Sequence, residues 1–387
     1  MADAPALARL VGDAASFLED RWGRRPWYAH RADVDGFADL LSLDDVDRIV
    51  ASSGLRAPAF RLVREGHTIP THQVTRRVRI GSRPVDDLVD VAAVHGQVAE
   101  GATLVLQGLH RSWPPVATLC RDLELTLTHP VQANAYLTPP VATGLRLHGD
   151  PHDVFAVQTH GRKRWVVHPA DEDEPWEVVL GPGDVLYLPA ATLHAPQSLD
   201  GPSLHLTIGV RTVTWRHVVQ RALEAAVDRP ELDRPLPAGW AEDPYALRTE
   251  LEAHLEDVRA DLAGGDALER AADGFWSRRV PDRAGGLRDL FELEMVADDT
   301  WLRRRVGNTF RVEVVDDRVV ADLGDRRLRM PAPVAPLLER IGATERLRPR
   351  DLDDLADEPS RLVLCRRLVR EGLLTIDRDE DAGTSRG

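Results

Sequence analysis

Between Asn134 and Trp215, apolar and polar positions alternate in short runs that Gly and Pro turns interrupt. "NAYLTPP", "LRLHGD", "DVFAVQTHG", "KRWVVHP", "WEVVLGPGDVLYLP" and "SLHLTIGVRTV" follow one another at the spacing of an antiparallel barrel or sandwich. No βαβ alternation accompanies them, so a Rossmann-type sheet is excluded. Upstream, residues 1 to about 125 mix short helices and loops. "LLSLDDVDRIVASSG" predicts a helix with Ser42 as its cap, Asp45 in its first turn and Gly54 at its close. Beyond Trp215 the apolar period lengthens to that of a helix. "DPYALRTELEAHLEDVRADLAGG" predicts one that starts at an Asp243 N-cap with Pro244 in the first turn and stops at Gly264-Gly265. Leu247, Leu251, Leu255, Val258 and Leu262 form its apolar stripe. From about residue 298, "FRVEVVDDRVVADL" predicts a hairpin turning at Asp316-Asp317. Helical runs at "PVAPLLERIG", "RPRDLDDLA" and "SRLVLCRRLVREGLLTI" then complete a winged-helix-like pattern. The tail "DRDEDAGTSRG" is polar and predicted to be disordered.

Composition narrows the classes. At 387 residues the chain is long enough for two or three domains. A net charge of −14 gives no general drive toward nucleic acid or an anionic membrane, although a local patch can still act. Cys120 and Cys365 are far apart and lack CxxC spacing, which argues against a disulfide scaffold or a cysteine zinc site and fits a reducing cytosol. The acidic start "MADAPALARLVGDAASFLEDRW" has no apolar signal core, and no run reaches membrane-spanning length. The expectation is a cytoplasmic globular protein. Of 49 basic residues only Lys163 is a lysine. Arg has therefore drifted into nearly every cationic position, and one ammonium was kept.

Candidate chemistry gathers in "LRLHGDPHDVF". His148 and Asp150 are two residues apart, so on a strand both point to one face. His194, after the "GPGD" turn and the strand "VLYLP", supplies a third ligand type. Two imidazoles and one carboxylate on one side of a metal leave other positions open, as in the facial triad of non-haem Fe(II) oxygenases. The alternative is a plain hydrogen bond between His148 and Asp150 at a strand end. Lys163 opens the strand "KRWVV", where a compact ammonium suits a distal carboxylate as a point charge and Arg would need a wider cavity. The competing reading is a surface lysine between Arg162 and Arg164. Ser203, His205 and Thr207 alternate to one strand face. His205 reads first as a satisfied barrel histidine and second as a group behind the ligands. His152, His160 and His168 flank turns and are expected to be solvated, and His152 with Asp153 makes a poor ligand pair because adjacent residues face opposite ways. Arg361, Arg366, Arg367 and Arg370 resemble a recognition helix, but their Leu and Val neighbours are needed for a core and the surroundings are acidic, so direct DNA binding is not expected.

"NAYLTPP…HGDPHDVFAVQTHGRKRW…GPGDVLYLPAATLH…SLHLTIGV" resembles the JmjC/cupin-type ribosomal oxygenases, Fe(II)- and 2-oxoglutarate-dependent protein hydroxylases. "FLEDRWGRRPW" resembles their N-terminal signature, and the helical and C-terminal segments resemble their dimerisation and winged-helix-like domains. The resemblance implies an α+β chain with a double-stranded β-helix core. It implies metal ligation by His148, Asp150 and His194 and a 2-oxoglutarate anchor at Lys163. Asn134 and Tyr136 match pocket-lining positions, and Thr207 joins them as a candidate co-substrate contact. The implied reaction consumes O2 and 2-oxoglutarate and hydroxylates a His or Arg side chain of a ribosomal protein. Alternatives are the same chemistry on a natural-product precursor peptide, JmjC lysine demethylation, or a non-enzymatic cupin sensor with a DNA-binding winged helix. The implied organisation is a catalytic domain over 1–214 (core 130–214), a helical dimerisation domain over 215–297, a winged-helix-like domain over 298–376 and a tail over 377–387. A homodimer is implied. Three departures lie around the pocket mouth: Gly149 stands where an aromatic is common, Pro189-Ala190-Ala191 replaces "PRG", and the segment from His194 to Ser203 is short.

Overall fold

The computed structural model describes residues 4–31, 35–52, 54–140, 146–170, 174–199, 201–264, 266–305 and 307–378. Most of the segment expected to form a disordered tail, from 379 on, lies outside the described residues, as does Gly265. The chain falls into two compact units, Met1–Thr212 and Val213–Gly387.

In the first unit, helices α1 (Pro5–Val11), α2 (Ala14–Asp20), α3 (Leu43–Ser52), α4 (Val91–Ala99) and α5 (Pro114–Leu127) surround fourteen strands. The strands are β1 (Trp27–His30), β2 (Phe60–Arg64), β3 (His67–Thr68), β4 (Thr75–Ile80), β5 (Arg83–Val89), β6 (Thr103–Leu106), β7 (Val131–Thr138), β8 (His148–Gly149), β9 (Asp153–His160), β10 (Lys163–His168), β11 (Trp176–Leu180), β12 (Asp184–Leu188), β13 (Leu193–Ser198) and β14 (Ser203–Val210). The Ser42 expectation holds: its Oγ accepts from Asp45 N while the Asp45 carboxylate accepts from Ser42 N.

The large sheet runs β1-β12-β9-β14-β7-β6-β2-β3 and the small one β11-β10-β13-β8. From β7 to β14 successive strands switch between the two sheets except for the β10-β11 hairpin, which is the winding of a double-stranded β-helix. The central strands β9 and β12 of the large sheet are buried on both faces, so residues 154–157 and 185–188 read as continuous apolar runs and not as alternations. Phe155, Val157, Val185 and Tyr187 pack outward against Leu7, Leu10, Phe17 and Leu123 of the helices. Val154, Ala156, Leu186 and Leu188 face the small sheet's Trp165, Val167 and Leu180. The antiparallel barrel expected from the pattern, and the mixed helix-and-sheet jelly-roll core that the resemblance implied, are therefore present.

The second unit begins with α6 (Trp215–Val227), α7 (Arg248–Ala263), α8 (Ala267–Trp276) and α9 (Gly286–Glu292). The Asp243 expectation needs correcting. Pro244–Leu247 is a 3-10 turn, Asp243 makes no side-chain cap, and the α-helix proper starts at Arg248. Leu251 and Leu255 on its stripe are 57% and 58% exposed. Next come β15 (Leu302–Arg304), β16 (Arg311–Val315), β17 (Arg318–Asp322), β18 (Arg327–Pro331), α10 (Ala335–Ala343), β19 (Arg346–Leu347), α11 (Glu358–Arg370) and β20 (Leu374–Ile376). The hairpin does turn at Asp316-Asp317, with Asp316 at φ 55°. "RPRDLDDLA" forms only the 3-10 turn Pro349–Leu352 and not a full helix. Three of the arginines of α11 serve their own unit. Arg361 holds Asp298 at 2.7 and 2.6 Å, Arg366 donates to the Val296 carbonyl at 2.8 Å, and Arg367 lies 3.7 Å from Glu371.

Candidate metal centre and co-substrate pocket

β8 pairs with β13 so that His148 stands opposite His194, and Asp150 follows two residues later. The two imidazole centroids are 4.4 Å apart, and Asp150 Oδ2 lies 3.7 Å from His194 Nε2. One ligand atom from each of the three residues falls within 4.8 Å of the other two. His148 Nδ1 sits 2.8 Å from the Arg146 carbonyl and His194 Nδ1 2.9 Å from that of Thr192. A carbonyl oxygen only accepts, so each Nδ1 carries the proton and each Nε2 keeps its lone pair. This is how a metal-binding histidine is commonly oriented. Burial holds His194 below the usual histidine range, which favours its neutral form. The donor set suits a divalent iron with positions left over for further ligands.

Strand alternation turns Lys163, Trp165 and Val167 of β10 inward and Arg164 and Val166 outward. Lys163 is 3% exposed, and its ammonium donates to Thr138 Oγ1 at 2.8 Å. Among the described residues no carboxylate pairs with it. Burial alone pushes it down to about 7. The surface-lysine reading is thereby removed. A buried ammonium with one neutral partner is a ready seat for a carboxylate.

Between Lys163 and the triad runs a ladder of rings. Tyr136 stacks on His205 at 5.0 Å, His205 meets Trp165 edge-on at 5.4 Å, and Trp165 lies 5.7 Å from His194. His205 Nδ1 and Trp165 Nε1 are buried without a hydrogen-bond partner. The expectation of a satisfied barrel histidine thus fails at Nδ1, where the ring packs between Tyr136 and Trp165 and near the Lys163 ammonium. Burial, with Lys163 adding, holds His205 well below its usual range. The unpaired polar atoms fit a polar small molecule in this pocket.

The other expected residues are less uniform. The Tyr136 hydroxyl faces the Arg61 guanidinium, and burial raises its pKa. Asn134 uses its side-chain oxygen to accept from Gly108 N at 3.0 Å. Thr207 stands opposite Asn134 in the ladder between β7 and β14. His160 is exposed as expected. His152 is instead half-buried against Gly209, 3.4 Å from Gln132 Nε2. Arg61 carried no signal in the sequence, being on β2 far upstream, whereas Trp165 was readable as the inward neighbour of Lys163.

Two of the departures at the pocket mouth, Gly149 and Ala191, meet at one point. A Cβ on Gly149 would lie 3.0 Å from the Ala191 carbonyl oxygen, and Ala191 sits at φ 65°. The turn Pro189–Thr192 presses against β8, so a large side chain at 149 has no room in this chain.

Residues 113–218 match the JmjC domain model. Over that stretch the chain is similar to JmjC domains. Ribosomal oxygenase 1 of Danio rerio is 26% identical over 67% of this chain and 52% of its own length. Ribosomal oxygenase 1 of Gallus gallus is 29% identical over 56% of this chain and 39% of its own length. The bifunctional lysine-specific demethylase and histidyl-hydroxylase NO66 of Drosophila persimilis is 26% identical over 52% and 31% respectively. The chain thus spans about a third to a half of the length of these relatives. Among solved structures, the Escherichia coli ribosomal oxygenase YcfD in complex with cobalt and 2-oxoglutarate matches with a TM-score of 0.56 at 22% identity, covering 95% of this chain and 98% of that one. That likeness concerns the fold. The matched stretch contains the whole constellation of His148, Asp150, Lys163 and His194.

Proposed function

We propose that this chain is an Fe(II)- and 2-oxoglutarate-dependent oxygenase that hydroxylates a His or Arg side chain of a ribosomal protein. The observation that carries it is the pairing of a two-histidine, one-carboxylate cluster with a buried, acid-free ammonium in one barrel. His148, Asp150 and His194 would hold the iron, which when bound supplies O2 activation coupled to decarboxylation of 2-oxoglutarate. Lys163, oriented by Thr138, would neutralise the distal carboxylate, and Tyr136 would add a hydroxyl contact backed by Arg61. Asn134 and Thr207 would shape the pocket wall. The ring ladder excludes water from the space between anchor and metal.

The exposed Leu251 and Leu255 stripe supports a homodimer seam within a helical domain over 215–297, followed by a winged-helix-like domain over 298–376. Direct DNA contact is disfavoured because Arg361, Arg366 and Arg367 of α11 are engaged within their own unit. The two buried free thiols fit a cytoplasmic setting.

The test has two stages. The purified protein with Fe(II), 2-oxoglutarate and O2 should form succinate, and His194→Ala should not. Mass spectrometry of ribosomal proteins with and without the gene should then show a single-oxygen difference on one His- or Arg-containing peptide, restored by wild type but not by His148→Ala. Absence of succinate would overturn the enzyme reading. Succinate with unchanged ribosomal proteins would overturn the substrate and move the search to other peptides.

A further inference from the structure

Asp153 opens β9 three residues after Asp150 and is 2% exposed. Its carboxylate is not one of the three clustered ligands. One oxygen accepts from Ala190 N at 3.0 Å and the other from the Tyr187 hydroxyl. Ala190 belongs to the turn between β12 and β13. The next residue, Ala191, donates its N–H to the Asp150 carbonyl at 2.7 Å. Thr192 donates to the Pro189 carbonyl at 3.1 Å and accepts the Nδ1 proton of His194 at 2.9 Å. A single buried carboxylate therefore fastens the turn that holds two ligands at once, one through its backbone and one through its ring. Tyr187, the second partner, accepts from Gly23 N at 2.8 Å and packs against Phe17 and Trp22. Its contacts lead away from the ligands into the helical layer.

Burying an acid costs free energy unless hydrogen bonds repay it. Burial raises the Asp153 pKa, while Tyr187 and Ala190 oppose that rise. A buried carboxylate kept at this cost, one turn from the ligands, calls for a role that an apolar residue would not fill. Groups that orient a metal's ligands commonly change metal affinity when removed.

We infer that Asp153 is a positioning residue that sets Asp150 and His194 as a ligand pair by clamping the Pro189–Thr192 turn. The inference rests on the metal-binding reading above and adds the group that preorganises the site.

Cobalt(II) titration of the full-length, chelator-treated protein, followed by visible absorption, tests it together with thermal melting. Three variants are compared. Asp153→Ala removes both acceptors. Asp153→Asn keeps an oxygen for Ala190 N. Tyr187→Phe removes only the bond that leads away from the ligands. Asp153→Ala should weaken cobalt binding by about tenfold or more. Asp153→Asn should recover most of that loss. Tyr187→Phe should lower the melting temperature yet leave cobalt affinity within about twofold. Unchanged affinity in Asp153→Ala would overturn the inference. So would a loss in Tyr187→Phe that tracks its loss of melting temperature as closely as Asp153→Ala does, because both effects would then be general destabilisation. Failure of the wild-type protein to bind cobalt is a separate result, read before any variant, and would remove the metal site itself.

Discussion

Replacing Lys163 by Met should make the protein alone more stable while disabling it. The side chain is 3% exposed, and burial takes its ammonium from 10.5 to about 7. The unfolded chain keeps that proton up to its ordinary value while the folded chain releases it near neutrality, so between those limits the unfolded state binds more protons and stability rises with pH. At about 1.4 kcal/mol per pH unit, the penalty is about 5 kcal/mol at pH 6 and about 2 kcal/mol at pH 9. Met fills a similar volume without the charge, so its stabilising effect should shrink by about 3 kcal/mol between these two pH values. Urea unfolding followed by tryptophan fluorescence at both pH values reads this directly. The functional cost runs the other way. Leaving a buried carboxylate without its cation costs about 3–5 kcal/mol, which is a loss of about a hundredfold or more in 2-oxoglutarate affinity. 2-Oxoglutarate with a divalent metal should raise the urea midpoint of wild type and not of Lys163→Met. Lys163→Arg should fail to restore turnover, since the planar fork does not fit where a tetrahedral ammonium meets Thr138. A Met variant no more stable at pH 6, or equally stabilised at both pH values, would refute the reasoning.

Three further outcomes are expected. Ala191→Gly should stabilise by about 0.5–1 kcal/mol in thermal or urea melts, because φ 65° suits glycine better than alanine. Gly149→Phe should destabilise and weaken cobalt binding, since its Cβ would sit 3.0 Å from the Ala191 carbonyl oxygen; unaltered metal titration would count against the tight turn. Leu251→Glu with Leu255→Glu should convert a dimer to monomer by light scattering without changing the melting of the first unit, as both leucines are exposed in their own chain.

How much of this was legible beforehand follows from the kind of signal each residue sends. His148 and Asp150 were paired by local period alone; β8 ends at Gly149, and Asp150 follows just beyond it beside His194. Lys163 stood out because the rest of the chain had drifted to Arg, and the alternation in "KRWVV" already turned it to the side of Trp165. His194 required only the turn-and-strand spacing that precedes it. Asp243 was misread because a 3-10 turn and an α-helix begin with the same Asp-Pro signature. His205 was misread because hydrogen-bond satisfaction is a property of neighbours, and its neighbours come from β7 and β10.

The sequence by itself determined the order of short strands, the split between a β-rich and a helical region, and the residue types that can ligate a metal or hold a carboxylate. These are local properties: period two along a strand, period 3.6 along a helix, and the chemistry of each side chain. Only the tertiary structure decided that β8 pairs with β13 to bring His148 against His194, that Thr138 meets Lys163 across two sheets, and that Asp153 clamps the turn carrying the last ligand. Those contacts join residues far apart in the chain, and their geometry follows from sheet register and closure, which no local window of sequence contains.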